Sequence, residues 1–324
     1  MRPRVAITLG DPRGIGPEVV AKTLEHPPAE ADYVVVGPEA LVSGLPAEHV
    51  VVGERGAVPD GDCSRSERLT TPMESQLPTW SPAPRSPLPV PPEVAGRLVG
   101  LSVERAVQLA LDGDVAAIVT GPAEKRALHL AGYTYPGHTE WLAELAGGVD
   151  VAMMLAAGVL RVVLITTHIP LREVPAAVTI ERVLRVGHIT RSSLECWWGI
   201  EDARLAICAL NPHAGESGLF GEEDATVLEP AAQELNAVGP LPADSVFVRA
   251  MRGEFDAVLT PYHDVGMLAV KVAGFGRGVN VTLGLPFIRT APDHGTAFDI
   301  AGKGIADPGS MQEAVGLAVR LAQR

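Results

Sequence analysis

The sequence predicts an α/β fold built on a mostly parallel sheet. Short apolar, β-like runs alternate along the chain with amphipathic, helix-like stretches, the pattern that βαβ connections impose. The 34 glycines and 28 prolines supply the turns this alternation needs and are too many for a helical bundle. With 324 residues, 47% of them hydrophobic, the chain has apolar material for two domains or one large one.

The first β run, VAITL (5–9), leads through LGDPRGIGPE into a helix starting near Pro17. Proline's fixed φ suits the first helical turn, and Glu18 suits the positive helix end. The glycines at 10, 14 and 16 match neither GxGxxG nor a phosphate loop ending in Lys-Ser/Thr. The segment is therefore a tight βα turn or a loop bordering a ligand. YVVVG (33–37) is the second β run. Eight prolines within 72–92 exclude helix and central strand there and mark a surface connector. In 103–113, Val103, Ala106, Val107 and Ala110 share one helical face, and VAAIVTG (115–121) follows as a β run. RVVLITTH (161–168), RLAICALNPH (204–213) and FDAVLTPYH (255–263) are further β runs, while 179–187, 222–237 and 314–323 read as helices. Residues 271–310 show few patterns longer than six residues and carry Lys271, Arg277, Asn280, Arg289, His294 and Lys303 among glycines. They read as a long irregular segment that lets an anionic ligand approach the backbone.

Composition excludes several function classes. A formal net charge of −13 with 4% aromatic residues argues against nucleic-acid binding, which needs basic surface and stacking rings. The most apolar stretch, VAMMLAAGVL (151–160), is far short of the ~20 residues that span a bilayer. Three cysteines cannot staple a chain this long, and MRPRVAITLGDP lacks the apolar core of a signal peptide. A cytoplasmic protein is expected.

Ligands of open α/β sheets bind beyond the carboxyl ends of the strands. His168, His213 and His263 each end a β-like run. Three neutral imidazoles on one rim would hold a divalent metal with a position open for substrate, although gaps of 45 and 50 residues match no compact metal motif. Asp264 follows His263 directly, as an orienting partner or as a turn residue.

Five segments, in order, carry a resemblance: TLGDPRGIGPEVVAK (8–22), VTGPAEKRALHLAGYTYPGHTEWLAE (119–144), MMLAAGVLRVVLITTHIPLREV (153–174), LNPHAGESGLFGEE (210–223) and most of 256–310. Over about two thirds of its length the chain resembles the 4-hydroxythreonine-4-phosphate dehydrogenase family of vitamin B6 biosynthesis. The resemblance implies two α/β domains around a cleft, as in isocitrate and isopropylmalate dehydrogenases. It divides the chain into 1–125 plus 275–324, with the NAD-side loops, and 126–274, with metal, substrate and dimer residues. It implies a homodimer whose shared active site draws metal ligands from both subunits, with His168, His213 and His263 holding zinc, cobalt, nickel or magnesium. Substrate contacts would fall on His138, Thr139, Lys271, Asn280 and Arg289, and Lys271 and Asp264 would serve catalysis. Lys271 would shuttle the proton or hold a substrate anion. HGTAFDIAGKGIADP (294–308) looks like the adenosine-side loop of isopropylmalate dehydrogenases, which gives His294, Gly295, Thr296 and Ala297 to NAD or NADP. The implied reaction oxidises 4-phosphohydroxy-L-threonine to a β-keto acid that decarboxylates to 3-amino-2-oxopropyl phosphate, on the way to pyridoxal 5'-phosphate. Val265 and Met267 depart from the Gln and Leu usual in the family, and relatives acting on 4-phosphothreonate or 4-phosphoerythronate share the same ending. A phosphate acyltransferase of related fold is the alternative of another class; it would not need the three histidines or the HGTA loop.

Overall fold

The computed structural model describes residues 2–53 and 87–324. Most of the proline-rich connector, 72–86, lies outside the described residues. In chain order the elements are β1 (Arg4–Thr8), α1 (Gly16–Glu25), β2 (Asp32–Gly37), α2 (Glu39–Val42), β3 (Glu48–Val51), α3 (Pro92–Leu111), β4 (Ala117–Thr120), α4 (Lys125–Leu130), α5 (His138–Leu145), β5 (Ala152–Ala157) and β6 (Leu160–Leu164). There follow α6 (Val174–Ala177), α7 (Ile180–Trp198), β7 (Leu205–Cys208), α8 (Glu229–Glu234), β8 (Val238–Leu241), α9 (Ala243–Met251), β9 (Ala257–Thr260), α10 (His263–Ala273), β10 (Val279–Leu283), β11 (Ile288–Pro292) and α11 (Gly309–Ala322).

The strands form one 11-stranded sheet in the order β3-β2-β1-β4-β11-β10-β5-β6-β9-β7-β8. Pairing is parallel except where β10 meets β11 and β5, and where β5 meets β6. The α/β class and the mostly parallel sheet are as the alternation of apolar runs requires. Strands from residues 1–125 and 275–324 fill one end of the sheet, and those from 126–274 the other.

One reading needs correction. Residues 271–310 are not one irregular segment: β10 and β11 lie within them, at the centre of the sheet. Each strand is five residues long, and polar Asn280 and Arg289 interrupt the apolar runs that would announce them. The longest irregular stretch is 293–308, with shorter ones at 274–278 and 284–287. The helix expected over 222–237 is present, its first turn π-helical over Asp224–Leu228 before α8.

Side chains alternate across a strand, and here the two faces are covered differently. One face is a single apolar cluster that includes Val5 and Ile7 of β1, Val281 of β10 and Leu259 of β9, under α1, α7 and α11. The other face carries two clusters. Val99, Val103 and Trp141 of α3 and α5 cover one end, and Val246, Ala250 and Val270 of α9 and α10 cover the other. Between these helix layers the middle strands are left open to ligand. Gly96 brings α3 directly onto α4: a Cβ there would strike the Ala127 carbonyl. Among the described residues no helix is long and apolar enough to cross a membrane.

Candidate active site

The gap between the helix layers is a cleft of about 410 Å³. Period-2 alternation sets its floor. Asn280 pairs with Ala291 and Leu155 in the sheet, and Arg289 pairs with Ile118, so Asn280, Ala291, Leu155 and Arg289 share the open face. The walls come from helix starts and strand ends: Lys125 of α4, His138, Thr139 and Glu140 of α5, His168 after β6, His263 and Lys271 of α10, and Asp293 to Gly295 after β11.

Arg289 is the most unusual group. The residue is 3% exposed, yet among the described residues no carboxylate meets it. Nε and Nη2 donate to Thr120 Oγ1 at 3.2 and 2.6 Å, and Nη1 donates to Thr282 Oγ1 at 3.0 Å. Burial alone lowers its pKa to about 10, which leaves it charged at neutral pH. A buried cation held only by hydroxyls is costly unless an anion completes the arrangement. Asn280 Oδ1 is likewise buried without a partner among the described residues.

His138 opens α5 behind the cap Gly137, and its ring leans on Trp141 at 5.8 Å between centroids. Burial, then the charges of Arg289 and Lys125, push its pKa down to about 3. It is neutral, and its Nε2 is shielded from solvent without a hydrogen-bond partner among the described residues. Thr139 beside it is buried. Across the cleft the rings of His168 and His263 lie 5.4 Å apart. Thr166 holds the His168 loop by donating to the Pro261 carbonyl at 2.7 Å. Burial lowers the His168 pKa, helped by Lys125 and His263 and opposed by Glu140. Neutral imidazole is the ligating form, and two rings this close could both reach one divalent cation.

His213 is elsewhere. It lines an adjoining recess of about 370 Å³ with Asn211, Asp244, Tyr262 and Val265. It starts a run of five residues with left-handed φ, His213 to Ser217, between 44° and 80°. Buried Asp224 anchors this turn by accepting the backbone N–H groups of Leu210 and Asn211 at 2.8 and 3.0 Å. Among the described residues no three His, Cys, Asp or Glu side chains of one chain gather as a metal site. One chain thus brings together two of the three histidines.

Lys271 faces the cleft with Nζ 3.7 Å from Asp293, whose pKa burial raises against the pull of Lys271. Asp264 is outside the cleft: its exposed carboxylate meets Nδ1 of its own neighbour His263 at 2.7 Å. His294 and Gly295 line the cleft, and a Cβ on Gly295 would meet open space. Thr296 and Ala297 do not line it. The Thr296 carbonyl instead accepts from Ile15 N at 2.9 Å, and a Cβ on Gly14 would strike it. The first loop therefore packs against the 294–297 loop. It also carries Arg13, which grips Asp11 through Nε and Nη2 at 3.0 and 2.7 Å and donates to Glu124 at 2.7 Å. Sequence reasoning missed Lys125, Thr120, Thr282, Glu140 and Asp293. Thr120 and Lys125 follow the general signal of polar residues just beyond a β run, but the rest became visible only with the sheet order.

A family model described as pyridoxal phosphate biosynthetic protein PdxA matches residues 60–318. The chain is 41% identical to the 4-hydroxythreonine-4-phosphate dehydrogenase of Geobacter metallireducens, over 99% of this chain and 96% of that one. It is 42% identical to the D-threonate 4-phosphate dehydrogenase of Salmonella typhimurium, over 98% of each. The crystal structure of 4-hydroxythreonine-4-phosphate dehydrogenase from Klebsiella pneumoniae matches with a TM-score of 0.79 at 37% identity, over 99% of this chain and 100% of that one. With the family model and these relatives agreeing over nearly the full length, the chain belongs to the PdxA family.

Proposed function

We propose that this protein is a divalent-metal- and NAD(P)-dependent dehydrogenase of a small phosphorylated hydroxy acid. The substrate is 4-phosphohydroxy-L-threonine, and the product is a β-keto acid that decarboxylates to 3-amino-2-oxopropyl phosphate, in pyridoxal 5'-phosphate biosynthesis. The observation that carries the reading is Arg289, a buried guanidinium with hydroxyl partners only among the described residues, on the floor of a cleft that also holds the paired rings of His168 and His263. A substrate anion completes the set of acceptors that Thr120 and Thr282 begin.

When bound, the metal supplies Lewis-acid polarisation of the secondary hydroxyl, and the dinucleotide supplies the hydride acceptor. His168 and His263 would hold the metal, and the loop beginning at His294 and Gly295 would border the dinucleotide. The chain's own groups do the rest. Arg289 and Asn280 orient the substrate from the floor, and neutral His138 offers Nε2 to a polar group of the bound acid. The Lys271–Asp293 pair, 3.7 Å apart, would shuttle the proton, the Asp293 carboxylate accepting it from the hydroxyl and the Lys271 ammonium donating one to the product carbon. Fixing both ends of the substrate over the reacting carbon contributes much of the rate.

We infer a homodimer. His213 stands outside the cleft of its own chain, and exposed Leu219 and Phe220 follow it. Exposed Leu268, Val272 and Phe275 flank the helix that bears His263. A second copy would cover both apolar surfaces and deliver its His213 to the cleft, completing three imidazoles for zinc, cobalt, nickel or magnesium.

The relative from Salmonella typhimurium favours a second substrate, D-threonate 4-phosphate, and Met267, which lines the cleft, departs from the family's usual residue there. Steady-state NADH formation on both substrates, with and without a chelator, tests the reading. The expected result is metal-dependent turnover, with kcat/KM higher for 4-phosphohydroxythreonine. Higher kcat/KM for D-threonate 4-phosphate would move the assignment to the second substrate. No NADH from either, with metal present, would overturn the dehydrogenase reading.

A further inference from the structure

The irregular stretch 293–308 borders the cleft through His294 and Gly295. The chain from Asp11 to Lys22 grips this stretch at two places. At its far end, buried Glu18 accepts the Ala306 N–H at 2.9 Å, and Lys22 donates to the carbonyls of Gly304 and Ala306 at 3.0 and 2.7 Å. At its near end, Ile15 N donates to the Thr296 carbonyl, and the Arg13 guanidinium lies 5.1 Å from the ring centre of Phe298. The edge of the same guanidinium meets two carboxylates: Nε and Nη2 donate to Asp11 at 3.0 and 2.7 Å, and Nη2 donates to Glu124 at 2.7 Å. Asp11 is fully buried, and its N–H donates to the Pro122 carbonyl at 2.8 Å. Glu124 ends the 121–124 loop, of which Gly121, Pro122 and Ala123 line the cleft. One side chain therefore joins two borders of the cleft, the 121–124 loop by its edge and the 294–298 loop by its face. An ammonium would satisfy the two carboxylates as a point charge. A planar guanidinium also makes paired bonds to one carboxylate while leaving a flat face for a ring.

We propose that Arg13 is a positioning residue that fixes where the 294–298 loop stands beside the cleft, and through that loop sets how tightly the protein holds its dinucleotide. The proposal rests on the reading of this loop as the dinucleotide's border. Arg13 has Nε and Nη2 committed to Asp11 and Glu124, so it acts through Phe298 and not on a ligand. A loop without regular structure has many positions open to it, and apparent affinity falls with the fraction of molecules in the binding-competent one. The far end is tied to α1 by Glu18 and Lys22. Loss of the Arg13–Phe298 contact would therefore let 294–298 shift locally without releasing the rest of the stretch.

The test compares the full-length protein with Phe298→Leu, Arg13→Lys and the double variant. NADH and NADPH binding are measured by fluorescence titration without acid substrate, and hydrogen exchange of the ligand-free protein is followed by mass spectrometry. Phe298 is partly exposed, and Arg13→Lys keeps a charge between the two carboxylates, so both variants should fold. Each should raise the dinucleotide Kd about two- to fivefold, the range of a partly exposed cation–π contact. Each should speed exchange at 294–298 while β4 and β10 exchange as in wild type. The double variant should bind no more weakly than the weaker single variant, because both changes break one contact. KM for the dinucleotide should rise with Kd, while kcat and KM for the acid stay within about twofold. Unchanged Kd in Phe298→Leu would overturn the proposal. A raised Kd without faster exchange would place the ring against the dinucleotide itself, and would overturn it too. So would losses that multiply in the double variant, or faster exchange spreading into β4 and β10, the mark of a merely structural role. Should Arg13→Lys not fold, Phe298→Leu decides alone by the same two readouts. A wild type that binds neither dinucleotide overturns this proposal together with the dehydrogenase reading; a wild type that binds and turns over, beside unaffected variants, overturns this proposal alone.

Discussion

Arg289 is placed for function at a cost in stability. Its guanidinium is desolvated without a counter-ion among the described residues, and folding must bear that cost before any substrate arrives. Arg289→Met removes the buried charge and keeps the volume, so stability in urea should be unchanged or raised by about 1–2 kcal/mol while kcat/KM falls at least about 100-fold. A large loss of stability would show that the hydroxyl contacts, and not a missing anion, account for the residue. His138 makes the second residue-scale expectation. Its folded pKa of about 3 lies below the ordinary 6.5, so between those values the unfolded chain binds the proton and the folded chain does not. The stability this group leaves intact above pH 6.5 is lost as pH falls toward 3. Urea midpoints of His138→Gln should decline less steeply than wild type below about pH 6, by up to about 1.4 kcal/mol per pH unit; parallel curves would contradict the burial of a neutral imidazole. These residues were only partly legible in the sequence. His168 and His263 could be found because each ends an apolar run. The sequence placed Arg289 in an irregular loop, and nothing local showed that β10 and β11 would carry it to the centre of the sheet.

Among the elements, the turn 212–218 is the most demanding. His213, Ala214, Glu216 and Ser217 hold left-handed φ, a conformation that costs side-chain-bearing residues about 1 kcal/mol or more each. Asp224 offsets part of this by accepting two backbone N–H groups from 1% exposure. Asp224→Ala leaves those part-buried donors unmet, and should destabilise by about 1–3 kcal/mol and abolish turnover, because His213 loses its anchor. Thermal unfolding and NADH formation check both effects; an active, stable variant would show that the turn needs no such anchor. Regular elements with a clear period were legible: β1, β2, β4, β6, β7 and β9, and the helical periodicity within α3 and α11. The short β3 and β8 left little pattern, and β5 was hidden inside an apolar run that turns back on itself as a hairpin with β6. Antiparallel β10 was obscured by its polar, cleft-facing Asn280.

At the scale of the molecule, one chain holds most of a site. A single continuous sheet supports two helix layers on one face, and the substrate cleft is the gap between them. The floor belongs to strands from both ends of the chain, which is why no contiguous motif could reveal it. His213 remains apart, next to apolar surface that asks for a second copy, so the whole account meets in one measurement. His213→Ala and His263→Ala should each be inactive as pure proteins while keeping the wild-type fold by circular dichroism. Unfolded and refolded together in equal amounts, they should regain about a quarter of wild-type NADH formation on 4-phosphohydroxythreonine. Half of the dimers would then be mixed, and each mixed dimer would own one intact site. A mixture as inactive as its parents, with both variants folded and dimeric, would contradict a cleft completed by the second subunit.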